Sequence, residues 1–122
     1  MAEGQQSGEF SFKITSLTFL PGPANSTLVQ ANCEGPVTGF GTTLGTGTFV
    51  VGKSGTFSWY AASYLDNGDI FTTNGQGTTE SSGRHKWRTQ FGVQGADGRT
   101  FGCEGEIDLA TRTWKGKFTQ KS

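Results

Sequence analysis

The side chains in this sequence with which chemistry could be done are one histidine, three tryptophans and a few ionisable groups near them. His85 lies two residues before Trp87, Arg112 lies two before Trp114, and Glu80 precedes them both. In an extended chain, residues two apart share a face. His85 is therefore expected on the side of Trp87 and Phe91, and Arg112 on the side of Trp114. Trp59 belongs to an earlier aromatic segment in which Phe57 and Trp59 share one face and Tyr60 and Tyr64 the other. A histidine beside a carboxylate or guanidinium in an aromatic pocket is a workable general acid or base, which makes His85 the candidate catalytic residue. The same set also reads as a binding site with no reaction, with Trp59, Trp87 and Trp114 as walls and Glu80 and Arg112 as polar contacts.

Other constellations have simpler readings. Lys86 and Arg88, then Glu104, Glu106 and Asp108, then Lys115 and Lys117 alternate with apolar residues, placing acids on a strand between two basic ones. Such cross-strand pairs fix register on a solvated wall, so Glu104 and Glu106 are expected to point away from the interior. Asn74 and Gln76 sit among glycines and threonines, and amides near aromatic rings suit sugar recognition. Cys33 and Cys103 are far apart and have no cysteine or histidine cluster around them, so they read as reduced core thiols, and no metal site is expected. No phosphate loop, dinucleotide fingerprint, GxSxG elbow or HExxH is present, and no cofactor is expected.

These residues must be positioned by strands. From 84 to 117, three segments alternate apolar and charged residues with period two, the pattern of an antiparallel sheet with one buried side. Upstream, Phe10, Phe12 and Ile14 alternate until the phase slips to Leu17 and Phe19, which predicts a bulge near Thr15 and Ser16. Pro21-Gly22-Pro23, Gly35-Pro36, Gly52 to Gly55, Asp66 to Asp69 and Ser81 to Gly83 read as the punctuation between strands. The segment holding Gly41, Gly45 and Gly47 has a face nearly bare of side chains, which allows strong coiling or leaves room for something else. The segments number eight, with short connections and no 3.6-residue period. The expected fold is an all-β, single antiparallel, roughly eight-stranded up-and-down barrel over 9–122 after a flexible 1–8, with a β-sandwich or jelly roll as the alternative. If strands simply run up and down, Trp59, Glu80, His85, Trp87, Arg112 and Trp114 gather near one rim.

Composition narrows the partners. Ten basic and ten acidic residues cancel, so no broad field draws nucleic acid or an anionic membrane. No run approaches the length of a membrane-spanning helix, and no charged-then-apolar leader opens the chain, so a cytoplasmic location is expected. The partner in view is a small apolar molecule, with a homodimer as an additional possibility on the general frequency of cyclic dimers.

In size, strand spacing and glycine-rich style, the segments GFGTTLGTGTF, YLDNGDIFTTNGQG and DGRTFGCEGEIDLATRTWKGKF resemble the small bacterial allene-oxide-cyclase-like proteins of the calycin-type barrels. The resemblance implies an apolar substrate or ligand held inside a barrel. It carries over no individual catalytic residue. Three functions follow as expectations: a small-ligand binding barrel with a tryptophan-lined lumen, a cofactor-independent isomerase or cyclase using the same pocket, and a structural or lectin-like oligomer.

Overall fold

Alternating side chains need a dry side and a wet side, and a closed sheet supplies both without leaving edges. The computed structural model describes residues 6–121 and resolves that requirement as a closed barrel of eight strands. These are β1 (Ser7–Pro21), β2 (Thr27–Val37), β3 (Gly41–Val50), β4 (Ser54–Tyr64), β5 (Ile70–Gly83), β6 (Lys86–Gly95), β7 (Thr100–Asp108) and β8 (Thr113–Gln120). Each pairs antiparallel with the next, and β8 closes on β1 from Ser7↔Thr119 to Lys13↔Thr113. A three-residue 3-10 turn at Pro23–Asn25 links β1 to β2. No helix among the described residues is long and apolar enough to cross a membrane.

The phase slip in β1 is a register shift between Ile14 and Ser16 against β2, where the alternation placed it. Two punctuation marks fall elsewhere. Gly35 and Pro36 lie within β2, paired with Thr43 and Thr42, and the chain turns only at 38–40. Ser81 to Gly83 remain in β5 and contain a second register shift, and the turn is at Arg84 and His85. Of the flexible stretch expected over 1–8, residues 1–5 lie outside the described residues, and from Ser7 the chain is already in β1.

We call the end with the starts of β1, β3, β5 and β7 the upper end, and the opposite one the lower end. Aromatic side chains fill the interior. Trp114 is 1% exposed, with ring centroids 4.9 Å from Trp59, 5.0 Å from Phe10, 5.4 Å from Phe12 and Phe57, and 5.5 Å from Phe91. Space for these rings comes from glycines across the strand pairs. Trp59 stands in register between Gly47 and Gly75, and a Cβ added at Gly45 would lie 2.5 Å from the Trp59 Cη2 atom. The bare face of β3 is thus occupied by an indole from β4. Gly116 does the same for Phe10, since a Cβ there would sit 2.1 Å from the Glu104 carbonyl oxygen and 2.5 Å from the Phe10 ring.

Polar groups inside are few. Thr89 accepts the Trp114 indole N–H at 3.2 Å and donates to the Gly105 carbonyl at 3.1 Å. Its cross-strand neighbour Thr79 is equally buried, and its hydroxyl has no partner. A buried hydroxyl that makes no hydrogen bond costs about 1–3 kcal/mol. The isosteric Thr79→Val is therefore expected to stabilise the barrel by about 1 kcal/mol, read as a higher urea midpoint at unchanged slope. A lower midpoint would show that the hydroxyl is satisfied in solution.

The charged ladder stands on the outer wall. Glu104 pairs in register with Lys117, their charged groups 3.5 Å apart, Glu106 opposes both Lys115 and Arg88, and Asp108 opposes Lys86. These side chains are exposed or, for Lys86 and Asp108, half-buried, so each pair is worth at most about 1 kcal/mol and its main effect is on register.

Candidate functional site

A small cavity of about 70 Å³ lies between the central tryptophans and the upper end. Its floor is Trp59 and Trp114, and Phe10, Phe12, Phe91, Phe101 and Phe118 are among its walls. Its polar lining is Thr43, Ser63, Thr73 and the Cys103 thiol. Thr43 and Ser63 hydrogen-bond each other across β3 and β4 at 2.6 Å. Their hydroxyls are therefore largely satisfied, and the cavity reads as apolar.

The roof is built by two loops. The β2–β3 turn places Phe40 between Gly39 (φ 80°) and Gly41 (φ 71°), backbone angles that favour glycine. Phe40 is turned inward, stacked on Phe71 at 5.3 Å and edge-on to Phe101 and Phe118 at 5.8 and 5.9 Å. From the β6–β7 turn, the Arg99 guanidinium lies 5.1 Å from the Phe71 ring centre, 5.4 Å from Phe40 and 5.7 Å from Phe101. Arg99 is fixed there by a 2.7 Å ion pair from Nε to Asp97 and by a hydrogen bond to the Gln6 side-chain oxygen. The Arg99 amide, at 3.0 Å, and its guanidinium hold the Asp97 carboxyl below the usual carboxylate range.

The six residues expected at one rim are not together. Trp59 and Trp114 meet at the cavity floor. Trp87 is at the lower end, against Phe49 at 5.4 Å, and its indole N–H donates to the Gly52 carbonyl at 2.8 Å. His85 does not point inward. It is exposed in the β5–β6 turn with φ 62°, and the strand alternation that assigned it a side begins only after it. Arg112 is likewise exposed in the β7–β8 turn, at φ 60°, where its guanidinium donates to the Leu109 carbonyl. Glu80 is on the outer wall, 3.7 Å from Arg88. Strands in a barrel are tilted and staggered, so equal distance from a strand end is not equal height in the lumen. Phe40 and Arg99, which define the roof, carried no strand periodicity. Their available signals were the Gly-Phe-Gly triplet and the Asp97-Gly98-Arg99 turn.

Cys33 and Cys103 are both free. Burial pushes each thiol from 9.0 up to about 12. Because the folded value lies above the unfolded one, the stabilisation is complete below pH about 9 and is lost as pH rises towards 12. Accordingly, a thiol reagent at pH 8 should leave buried Cys33 unlabelled and label half-buried Cys103 only slowly in the folded protein, and label both in urea, with stability falling above pH 9. Rapid labelling of native Cys103 would show that the cavity admits reagent and water.

No protein-family model, curated protein or solved structure matches the chain. Its class is set by its own geometry: a closed antiparallel barrel with an apolar chamber under an aromatic roof.

Proposed function

We propose that the protein binds a small apolar or aromatic molecule in the upper chamber, between the Trp59–Trp114 floor and the Phe40–Arg99 roof. The observation that carries this reading is the chamber itself, a void lined mostly by aromatic rings, with two valines and four short polar side chains completing its wall. Interiors normally pack without such gaps, and an apolar cavity stays dry and takes apolar guests. An apolar ligand inside a closed barrel is also what the likeness to the allene-oxide-cyclase-like group implies. At about 70 Å³ the chamber is smaller than the roughly 150 Å³ site that accommodates benzene, so a ring-sized ligand enters by displacing Phe40.

The isomerase or cyclase reading is less favoured. Among the described residues the chamber wall contains no carboxylate, imidazole or amine, and the Cys103 thiol is held protonated by burial. His85, the expected acid or base, is exposed in a turn at the lower end.

Titration with indole, toluene and naphthalene tests the binding reading. Tryptophan fluorescence is expected to change in the wild type and in Trp87→Phe, but to lose most of its response in Trp59→Phe. Silence with every probe, or a response residing in Trp87 alone, would remove the chamber as the site.

A second reading, sugar binding, rests on the outer wall. Tyr60 is 63% exposed and stands in register between Thr46 and Asn74, a ring face flanked by a hydroxyl and an amide. Retention on immobilised neutral polysaccharide, lost in Tyr60→Ala, is the result that would favour it.

A further inference from the structure

The barrel is closed, yet one strand outruns its neighbour. β1 pairs with β8 only from Ser7 to Lys13, and the last bond on that side is the Ile14 amide donating to the Arg112 carbonyl at 2.8 Å. From there to Pro21, β1 is paired with β2 alone. Along Thr15–Pro21 its other side faces no strand among the described residues.

An open edge of this kind is a template for another strand, and proteins usually blunt it with lysine, an inward charge or a bulge that twists it away. The bulge here falls at Thr15, the first residue of the open run, and leaves 16–21 in unbroken register with β2. No charged residue occurs between Lys13 and Glu34, which covers both the open run and the part of β2 paired with it. The run carries only hydroxyl and apolar side chains, and the large apolar ones reach solvent: Phe19 is 60% exposed, Leu20 37%, and Leu17 half-buried.

We propose that this edge is the seat of a second copy of the chain, paired antiparallel through β1 about a two-fold axis at Thr18. Thr18 is the centre of the open run. A two-fold there sets Leu17 of each copy opposite Phe19 of the other, giving two aliphatic–aromatic cross-strand pairs, and sets Ser16 opposite Leu20. It also leaves Pro21, which has no N–H to donate, at the margin of the new ladder. Self-pairing brings no like charges together in the new ladder, because the run has none. An isologous contact asks for a surface complementary to itself, and an uncharged strand edge meets that condition. Nothing in this contact depends on the upper chamber, which is at the opposite end.

Sedimentation velocity and cross-linking test it. The wild type at micromolar concentrations is expected at twice 13.0 kDa. Thr18→Lys, an exposed position where the two lysines would face each other, should raise the dissociation constant at least about tenfold. Its far-UV circular dichroism should be unchanged. Opposed residues in an antiparallel pair have Cα atoms about 4.5–5.5 Å apart, within disulfide reach. Thr18→Cys should therefore give a disulfide-linked dimer on mild oxidation, and Ser16→Cys should not. A wild-type monomer at every concentration overturns the proposal and leaves the edge to a strand from another protein. A dimer indifferent to Thr18→Lys also overturns it, and its dissociation by Tyr60→Glu would move the contact to the β3–β5 wall. Equal cross-linking at 16 and 18 rejects the register.

Discussion

Replacing Trp114 with alanine is expected to remove about 3–5 kcal/mol of stability, the range for deleting a fully buried large aromatic side chain. Trp114 sits at the upper bound of that range because its loss has three parts. The indole leaves a void amid Phe10, Phe12, Phe57, Trp59 and Phe91, all in ring contact with it. Its neighbours are anchored on different strands of a closed sheet, so they cannot collapse into the gap without distorting hydrogen-bonded ladders on both sides. It also strips Thr89 of a hydrogen-bond donor, beside the already unpartnered Thr79. Against a typical total of 5–15 kcal/mol, such a loss leaves the barrel marginal. Trp114→Phe, which keeps most of the ring volume, should cost about 1–3 kcal/mol. Urea unfolding of the two variants measures both, and an alanine variant within 1 kcal/mol of the wild type would contradict the role given to Trp114.

Phe40→Ala should act in two directions at once. Its ring leaves a stacked contact with Phe71 and two edge contacts, at a stability cost of about 3 kcal/mol, near the lower end for a phenylalanine because the vacated space opens at the mouth. The same deletion enlarges the chamber and removes the displacement a ligand must bring about. Naphthalene affinity is expected to rise about tenfold, equivalent to about 1.4 kcal/mol. Loss of stability with no gain in affinity would make Phe40 a plug rather than a roof over a binding site. Toluene, the smaller probe, should gain less than naphthalene.

Much of the architecture was legible because β structure writes itself into sequence with period two. The inward positions Phe10, Phe12, Phe57, Trp59, Phe91, Phe101 and Trp114 and the outward charge ladder both follow from alternation alone. The β1 bulge was visible as a phase slip at Ile14 to Ser16. The candidate site was legible only in part. Trp59 and Trp114 could be assigned to the interior, but their neighbours there could not. The loop residues Phe40 and Arg99 have no periodicity from which a direction can be inferred. His85 and Arg112 were misplaced for the opposite reason: alternation was extended one residue too far, into turns where φ is positive and a side chain's direction is no longer set by parity.

The sequence by itself determined that the chain is β, which residues face inward within each strand, and that one face of β3 is nearly bare of side chains. Those are local properties, dictated by side-chain period and by the backbone freedom of particular residues. Tertiary structure alone decided what lies at the same height inside the barrel, because tilt and stagger carry each strand past its neighbours by an amount no single strand encodes. That stagger brings Trp59 to Trp114, sends Trp87 to the other end, and lets Phe40 and Arg99 meet over the chamber. It also carries β1 beyond the reach of β8, leaving open the edge on which a second copy is expected to pair.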